Sequence, residues 1–109
     1  MIIATFRMSI PAQKSTEALK ILRLEYELCR DNPGCNSCYI YGDLEDNTAH
    51  MIEEVWWTEE DLDTHLRSDE FRNLLVVMEM ADKKPEIRFD TVSSSAGIER
   101  VENARGLAV

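Results

Sequence analysis

Hydrophobic and polar residues alternate along the first ten positions of the chain and then change period. One face of residues 2–10 is apolar throughout (Ile2, Ala4, Phe6, Met8 and Ile10), which predicts a β-strand ending at Pro11. Residues 13–30 instead carry an apolar stripe at helical spacing, formed by Ala18, Leu19, Leu22, Tyr26 and Cys29. Pro33 and Gly34 then end the predicted helix.

The remaining pattern predicts a hairpin, a broken helix and a last strand. Residues 35–42 and 48–57 are two strand-like segments around a polar turn. Thr58 is a candidate N-cap of a helix whose first turn is acidic. Ser68 interrupts this helix and is a candidate N-cap of the next one. With a strand at 86–93, the order is β-α-β-β-α-β, which predicts an α+β, ferredoxin-like fold with a four-stranded antiparallel sheet and helices on one face.

The third strand has large apolar side chains on both faces. Ile52 and Trp56 share one face, whereas Met51, Val55 and Trp57 share the other. A sheet with one face in water alternates more cleanly than this. A second copy of the chain is the simplest cover for the outer face, so the pattern predicts a homodimer.

Length and charge narrow the class of protein. The 109 residues predict one domain over 1–95, followed by a mobile tail over 96–109. The net charge of -9 argues against nucleic acid and anionic membranes as partners, because both attract basic surfaces.

The apolar runs are too short to cross a bilayer. Three cysteines without an export signal predict reduced thiols and a cytoplasmic location.

One segment resembles a known family. In residues 54–71, a strand with Glu54 and Trp56 leads into an acidic helix start, then Leu62 and His65, a small polar break and Phe71. This order resembles the antibiotic biosynthesis monooxygenase (ABM) family. The resemblance implies a dimeric α/β barrel with a pocket between sheet and helices in each subunit. Some members oxidise phenols or quinols with O2 and no cofactor, whereas others have no demonstrated reaction.

The catalytic candidates are His65 and Glu54. His65 lies on the apolar face of its predicted helix and titrates near neutral pH, so it is a candidate acid or base. The structural alternative is a half-buried histidine bonded to the backbone. Glu54 lies between apolar residues, where a raised pKa would let it accept a proton, or it is a paired structural carboxylate.

The substrate-binding candidates are aromatic or cationic. Trp56 is a candidate pocket wall, with core or dimer packing as the alternative, and Phe71 is a further candidate on the next helix. Tyr39 belongs either to the pocket or to the subunit interface. Arg7 points away from Phe6 and either holds an anionic substrate or forms a salt bridge between subunits.

The sequence predicts no cofactor. The Cys35–Cys38 spacing opens a strand, where residues three apart point to opposite faces, so redox or metal chemistry is not favoured there. No metal-ligand cluster or dinucleotide motif is visible, and Leu75 occupies the position where haem-degrading relatives carry a histidine.

Two functions from different classes follow. One is a cofactor-independent monooxygenase of a small aromatic or quinol substrate, with His65 as acid/base. The other is a non-catalytic dimeric module that binds a small molecule or assists a pathway partner. The two are distinguished by whether His65 and Glu54 face a cavity or a filled core.

Overall fold

The computed structural model describes residues 1–106. Its strands are β1 (Ile2–Ser9), β2 (Cys35–Gly42), β3 (Ala49–Trp56) and β4 (Glu86–Thr91). Its α-helices are α1 (Ser15–Asp31), α2 (Glu59–Arg67), α3 (Arg72–Met80) and α4 (Ile98–Arg105), and a short 3-10 turn precedes α1. The elements therefore follow the predicted order, with boundaries within about two residues of those expected and one additional helix at the end.

The four strands form one antiparallel sheet in the order β2-β3-β1-β4. This confirms the predicted α+β, ferredoxin-like arrangement. The core lies on the sheet face that carries the even-numbered residues of β1, where Ala4 and Phe6 are buried. Helix α1 packs on β2 and on α3, so that this inner face is covered by the chain itself.

Local signals at the α2–α3 region act as the sequence predicts. The Thr58 hydroxyl oxygen accepts a hydrogen bond from the Asp61 backbone N–H at 3.0 Å and caps α2. The Ser68 backbone N–H donates to the His65 carbonyl at 3.0 Å, and the Ser68 hydroxyl oxygen accepts from the Phe71 N–H at 3.3 Å. The break therefore separates α2 from α3 and keeps His65 and Phe71 close together.

The outer face of the sheet, defined here by the odd-numbered residues of β1 and their cross-strand partners, is open to solvent. Tyr39 and Tyr41 of β2 and Trp57 after β3 are each about half exposed, and Arg7 is exposed. The charged residues Glu86, Arg88 and Asp90 of β4 continue this face through their pairing with β1. The outer face thus changes from aromatic at β2 to charged at β4.

The edge strand β4 is less buried than its pattern suggests. Ile87 and Phe89 share one face, as predicted, and pair in register with Phe6 and Ala4 of the inner face. Both remain about half exposed, although the Phe89 ring packs edge-on against Phe6 at 6.0 Å. An edge position, with a neighbouring strand on one side only, accounts for this exposure.

The predicted tail contains structure. Helix α4 occupies Ile98–Arg105, and its apolar residues Ile98 and Val101 are exposed. Gly106 ends it in the left-handed conformation at φ 72°, which glycine adopts without strain. The mobility of this segment stays a prediction, and residues 107–109 lie outside the described range. Within residues 1–106 no helix has both the length and the apolar character needed to cross a bilayer.

Candidate functional site

Four ionisable side chains meet between the inner face of the sheet and the helices. They are Glu25 and Cys29 of α1, Glu54 of β3 and His65 of α2, and each is at most 2% exposed. One polar atom from each side chain lies within 4.8 Å of the corresponding atoms of the other three. We call this group the acid–thiol–imidazole cluster.

Local structure explains how each member reaches the cluster. Glu25 and Cys29 are four residues apart, so they lie one above the other on the buried stripe of α1. Glu54 is on the inner face of β3, where alternate residues are buried. His65 follows Leu62 by three residues and shares its buried helix face. Three separate elements therefore supply the cluster.

The hydrogen bonds of the cluster are centred on His65 and Cys29. His65 Nε2 lies 2.9 Å from Glu25 Oε2 and 3.7 Å from Glu54 Oε1. The Cys29 thiol lies 3.3 Å from an oxygen of each carboxylate and 3.6 Å from His65 Nε2. Glu25 is thus the main partner of the imidazole, and the thiol bridges the two carboxylates.

Two aromatic rings enclose the imidazole. The Trp56 ring stacks on His65 with centroids 4.5 Å apart and planes inclined by 28°, and its indole N–H donates to Glu54 Oε1 at 3.3 Å. Phe71 meets His65 edge-on at 5.6 Å. These contacts fix the ring plane of His65 and shield the cluster from water.

Burial and mutual charge separate the pKa values of the two carboxyl groups. Burial, together with the nearby Glu25 carboxylate, raises the pKa of Glu54 to about 8. Burial alone would also raise the pKa of Glu25, but hydrogen bonds with His65 and Glu54 outweigh it, and that pKa is lowered. At neutral pH, Glu25 is therefore the ionised carboxylate and Glu54 the protonated one.

The imidazole and the thiol respond to the same environment. Burial acts to lower the pKa of His65, but its bond to Glu25 and the charges of both carboxylates overcome this, so the pKa is raised. A hydrogen bond with Cys38, burial and the neighbouring carboxylates raise the pKa of Cys29 far above its usual range. The cluster thus contains a hydrogen-bonded imidazole–carboxylate pair and a neutral thiol.

Two buried atoms of the cluster have no hydrogen-bond partner among the described residues. They are Glu25 Oε1 and His65 Nδ1. A buried polar atom without a partner costs free energy, and such atoms are concentrated at functional sites. His65 therefore has one nitrogen fixed by a carboxylate and one nitrogen available.

The structure brings together four of the six residues that the sequence singled out. His65 is in contact with Glu54, Trp56 and Phe71. Tyr39 and Arg7 are not part of it, because both lie on the outer face of the sheet. The Tyr39 ring instead lies 5.7 Å from the guanidinium carbon of Arg30.

Sequence reasoning missed Glu25 and the role of Cys29. The spacing 18, 22, 25 and 29 places Glu25 in the middle of the buried stripe, so a signal was present. The expectation of no metal rested on the lack of a visible ligand cluster. That premise was wrong, because folding assembles a cluster of two carboxylates, a thiol and an imidazole from residues 25 to 65.

Open depressions lie on the outer face, away from the cluster. One, of about 380 Å³, is lined by residues that include Arg7, Tyr41, His50, Lys83 and Lys84. A second, of about 410 Å³, adjoins it across Arg7, Met51 and Glu86. The cluster is enclosed, whereas these depressions are accessible in the single chain.

The protein is a ferredoxin-like α+β protein, because it has a four-stranded antiparallel sheet with helices on one face. The buried acid–base cluster between sheet and helices is its candidate catalytic core. The family model described as antibiotic biosynthesis monooxygenase matches residues 1–75. The chain belongs to the antibiotic biosynthesis monooxygenase family, and at this level it is a monooxygenase-family protein. A search of curated protein sequences found no match.

Solved structures share the fold. A conserved protein from Methanosarcina mazei Go1 is 27% identical, with a TM-score of 0.76 over 82% of this chain and 89% of that one. Rv0793 from Mycobacterium tuberculosis is 15% identical, with a TM-score of 0.79 over 88% of this chain and 98% of that one. A mutant of SnoaB, a cofactor-independent oxygenase from Streptomyces nogalater, is 10% identical, with a TM-score of 0.73 over 86% of this chain and 94% of that one.

Proposed function

We propose that this protein is a monooxygenase that oxidises a small phenolic or quinol substrate with O2, using His65 as the acid/base and no bound cofactor. The observation that carries the proposal is the buried His65–Glu25 pair at 2.9 Å, in which His65 Nδ1 has no partner among the described residues. Family membership and the fold shared with a cofactor-independent oxygenase support this class of reaction.

In this proposal the substrate supplies the electrons. His65, in its neutral form, removes the phenolic proton through Nδ1, and the resulting phenolate is electron-rich enough to reduce O2. One oxygen atom forms a new bond to a substrate carbon, and the other leaves as water with the hydrogens lost from the substrate. Glu25 stabilises the imidazolium that forms, as a carboxylate held on the opposite ring nitrogen does in other acid–base pairs.

The remaining residues of the site have supporting roles. Glu54 is a reserve proton donor beside the pair, because its pKa of about 8 keeps it protonated at neutral pH. Trp56 fixes the plane of the imidazole from one side. Phe71 meets the ring edge-on from the segment between α2 and α3, and we propose that a flat substrate enters by displacing it.

We further propose that the protein acts as a homodimer assembled through the outer face. The half-exposed Tyr39, Tyr41 and Trp57 on that face support an apolar contact. In this arrangement Tyr39 belongs to the subunit contact, and Arg7 pairs with an acidic residue across it. A cytoplasmic location is proposed as well, supported by the three unpaired cysteines of the described chain.

A non-catalytic binding module is the second candidate. The observation that favours it is the enclosure of the cluster, since His65 is 2% exposed and Glu54 is fully buried. In that case the cluster holds three elements together, and the ligand binds elsewhere, in one of the depressions of the outer face.

Oxygen consumption by the purified protein tests the proposal. We expect turnover of members of a hydroquinone and naphthol panel by the wild type, and a loss of about 100- to 10,000-fold in His65→Ala. His50→Ala is the matched control, because His50 is half-buried on the same strand as Glu54 and bonds only to the Thr48 backbone among the described residues. Equal turnover by wild type and His65→Ala would contradict the proposed role of His65. No turnover by the wild type on any substrate would favour the binding module.

A further inference from the structure

We propose that the acid–thiol–imidazole cluster is a binding site for one Zn²⁺ ion, with Glu25, Cys29, Glu54 and His65 as its four ligands. This site is additional to the proposed reaction, which uses no metal. The inference begins with the chemistry of the four side chains. A thiolate, an imidazole and carboxylate oxygens form a donor set typical of Zn²⁺, whereas Mg²⁺ and Ca²⁺ prefer oxygen ligands alone.

The distances between the four groups fit a tetrahedral ion. Ligands held about 2.0–2.3 Å from Zn²⁺ at tetrahedral angles lie about 3.3–3.7 Å from one another. The Cys29 sulfur is 3.3 Å from each carboxylate and 3.6 Å from His65 Nε2. His65 Nε2 is 3.7 Å from Glu54 Oε1 and 2.9 Å from Glu25 Oε2. The 2.9 Å contact must lengthen by a few tenths of an ångström. Glu54 must also turn one oxygen toward the ion, because it now faces Cys29 with Oε2 and His65 with Oε1.

Charge balance supports the same conclusion. Two carboxylates and a thiol within 4.8 Å in a fully buried site repel one another unless protons or a cation neutralise them. Without a cation, protons must neutralise part of this set, because neighbouring ionised groups are costly in a site closed to water. A divalent cation would replace those protons and use the same electron pairs.

The surroundings resemble the outer shell of a metal site. The Trp56 indole N–H holds Glu54 Oε1 at 3.3 Å, which orients the carboxylate, and the Trp56 ring fixes the imidazole by stacking. Two ligands come from adjacent turns of α1, one from β3 and one from α2. Because four protein ligands complete a tetrahedral shell, the ion would join three elements and leave no position for substrate.

Metal binding and acid–base use of His65 would exclude each other. When Zn²⁺ binds Nε2, it replaces the proton that Nε2 otherwise shares with Glu25. The one proton of the neutral ring is then on Nδ1. Such a ring has no free lone pair with which to accept a phenolic proton. The metal-bound protein would therefore be the resting or inhibited form. This last step rests on the proposed function, but the binding of the ion does not.

Cobalt is the probe for the site, because Co²⁺ replaces Zn²⁺ in such sites and its absorption reports on sulfur ligation and coordination number. The full chain is stripped with a chelator and titrated anaerobically with Co²⁺. We expect one equivalent per protomer, a thiolate-to-cobalt charge-transfer band and strong tetrahedral d–d bands, with displacement by Zn²⁺ and a higher melting temperature.

Matched variants assign the ligands. Cys29→Ser should abolish the charge-transfer band, whereas Cys35→Ser, at a half-buried thiol outside the cluster, should retain it. Glu54→Gln resembles the protonated carboxyl and should fold normally, yet it should weaken Co²⁺ binding by about tenfold or more. This variant keeps the test decisive if Cys29→Ser does not fold.

The outcomes separate the two proposals. No stoichiometric binding, or weak octahedral binding unchanged in Cys29→Ser and Glu54→Gln, would overturn the zinc site and leave a cluster that holds protons only. Binding with the expected spectrum but no O2 consumption by the metal-free protein would support the zinc site and contradict the proposed reaction. Consumption of O2 without metal binding would support the proposed reaction and contradict the zinc site.

Discussion

Strand β3 ends at Trp56 and is followed directly by Trp57, and the two tryptophans lie in opposite environments. Trp56 is fully buried against His65 on the inner face, whereas Trp57 is 51% exposed on the outer side. The carboxylates before them differ in the same way, since Glu54 is fully buried and Glu53 only partly so. The inner face is completed within one chain and contains the ionisable cluster. The outer face is aromatic at β2, charged at β4 and uncovered in the single chain, which suits assembly rather than chemistry.

The largest expected difference between the two faces is in stability. Trp56→Ala removes a ring packed on His65 and leaves Glu54 without its indole donor, so we expect a loss of about 3–5 kcal/mol in the free energy of unfolding. Trp57→Ala should cost about 1 kcal/mol or less, because half of that ring is already exposed. Denaturant unfolding at a protein concentration low enough to dissociate the proposed dimer measures both. Similar losses for the two variants would show that the faces are not distinct in this way.

The second prediction concerns assembly. Val55 follows Glu54 in the sequence but points to the opposite, outer face, where it is partly buried in the single chain. Val55→Asp would place a carboxylate in the proposed contact at a cost on the order of 2 kcal/mol, which is about a thirtyfold weaker association. Leu44→Asp is the control, because Leu44 is fully exposed in the turn before β3. Sedimentation should show a dimer for wild type and the control. A monomeric wild type at micromolar concentration would contradict the proposed dimer.

The third prediction concerns a pH dependence confined to the inner face. Because the pKa of Glu54 is raised to about 8 from 4.5, its protonated form favours the folded state below pH 4.5, and this stabilisation is lost as the pH rises toward 8. Glu54→Gln cannot ionise, so the metal-free variant should gain about 1 kcal/mol over wild type for each pH unit between pH 5 and pH 8.

Thermal unfolding across this pH range, in the presence of a chelator, provides the measurement. Glu53→Gln on the partly exposed outer side is the control and should follow the wild-type profile. Parallel profiles for wild type and Glu54→Gln would show that Glu54 is not the protonated member of the pair.

The fold was predictable because each element carries a local signal. Period-two alternation in β1 assigned Phe6 to the inner face and therefore Arg7 to the outer one, as observed. The Thr58 cap and the Ser68 break located α2 and α3 within a few residues. These signals act over short stretches of chain, so the sequence contains them directly.

The candidate site was only partly predictable, because its contacts are not local. His65 and Glu54 stood out by residue type on apolar faces, but Glu25 is separated from His65 by 40 residues. A glutamate within a buried helix stripe is unfavourable by itself, and only the imidazole from another element accounts for it. Tyr39 was assigned to the pocket or the interface, and only strand pairing places it on the face opposite the cluster.

Gly34 suggests how this site could vary among related proteins without any change in the cluster itself. Its backbone angles are ordinary, yet an added Cβ would lie 2.8–2.9 Å from the side-chain carbons of Asp61 in the first turn of α2. Its carbonyl also accepts the Trp57 N–H at 3.0 Å. A side chain at position 34 would therefore require Asp61, in the first turn of the helix that carries His65, to shift. A substitution at this remote position would change the placement of Asp61 in α2 and keep the four ionisable side chains. A substitution of a cluster residue would instead remove one of those side chains.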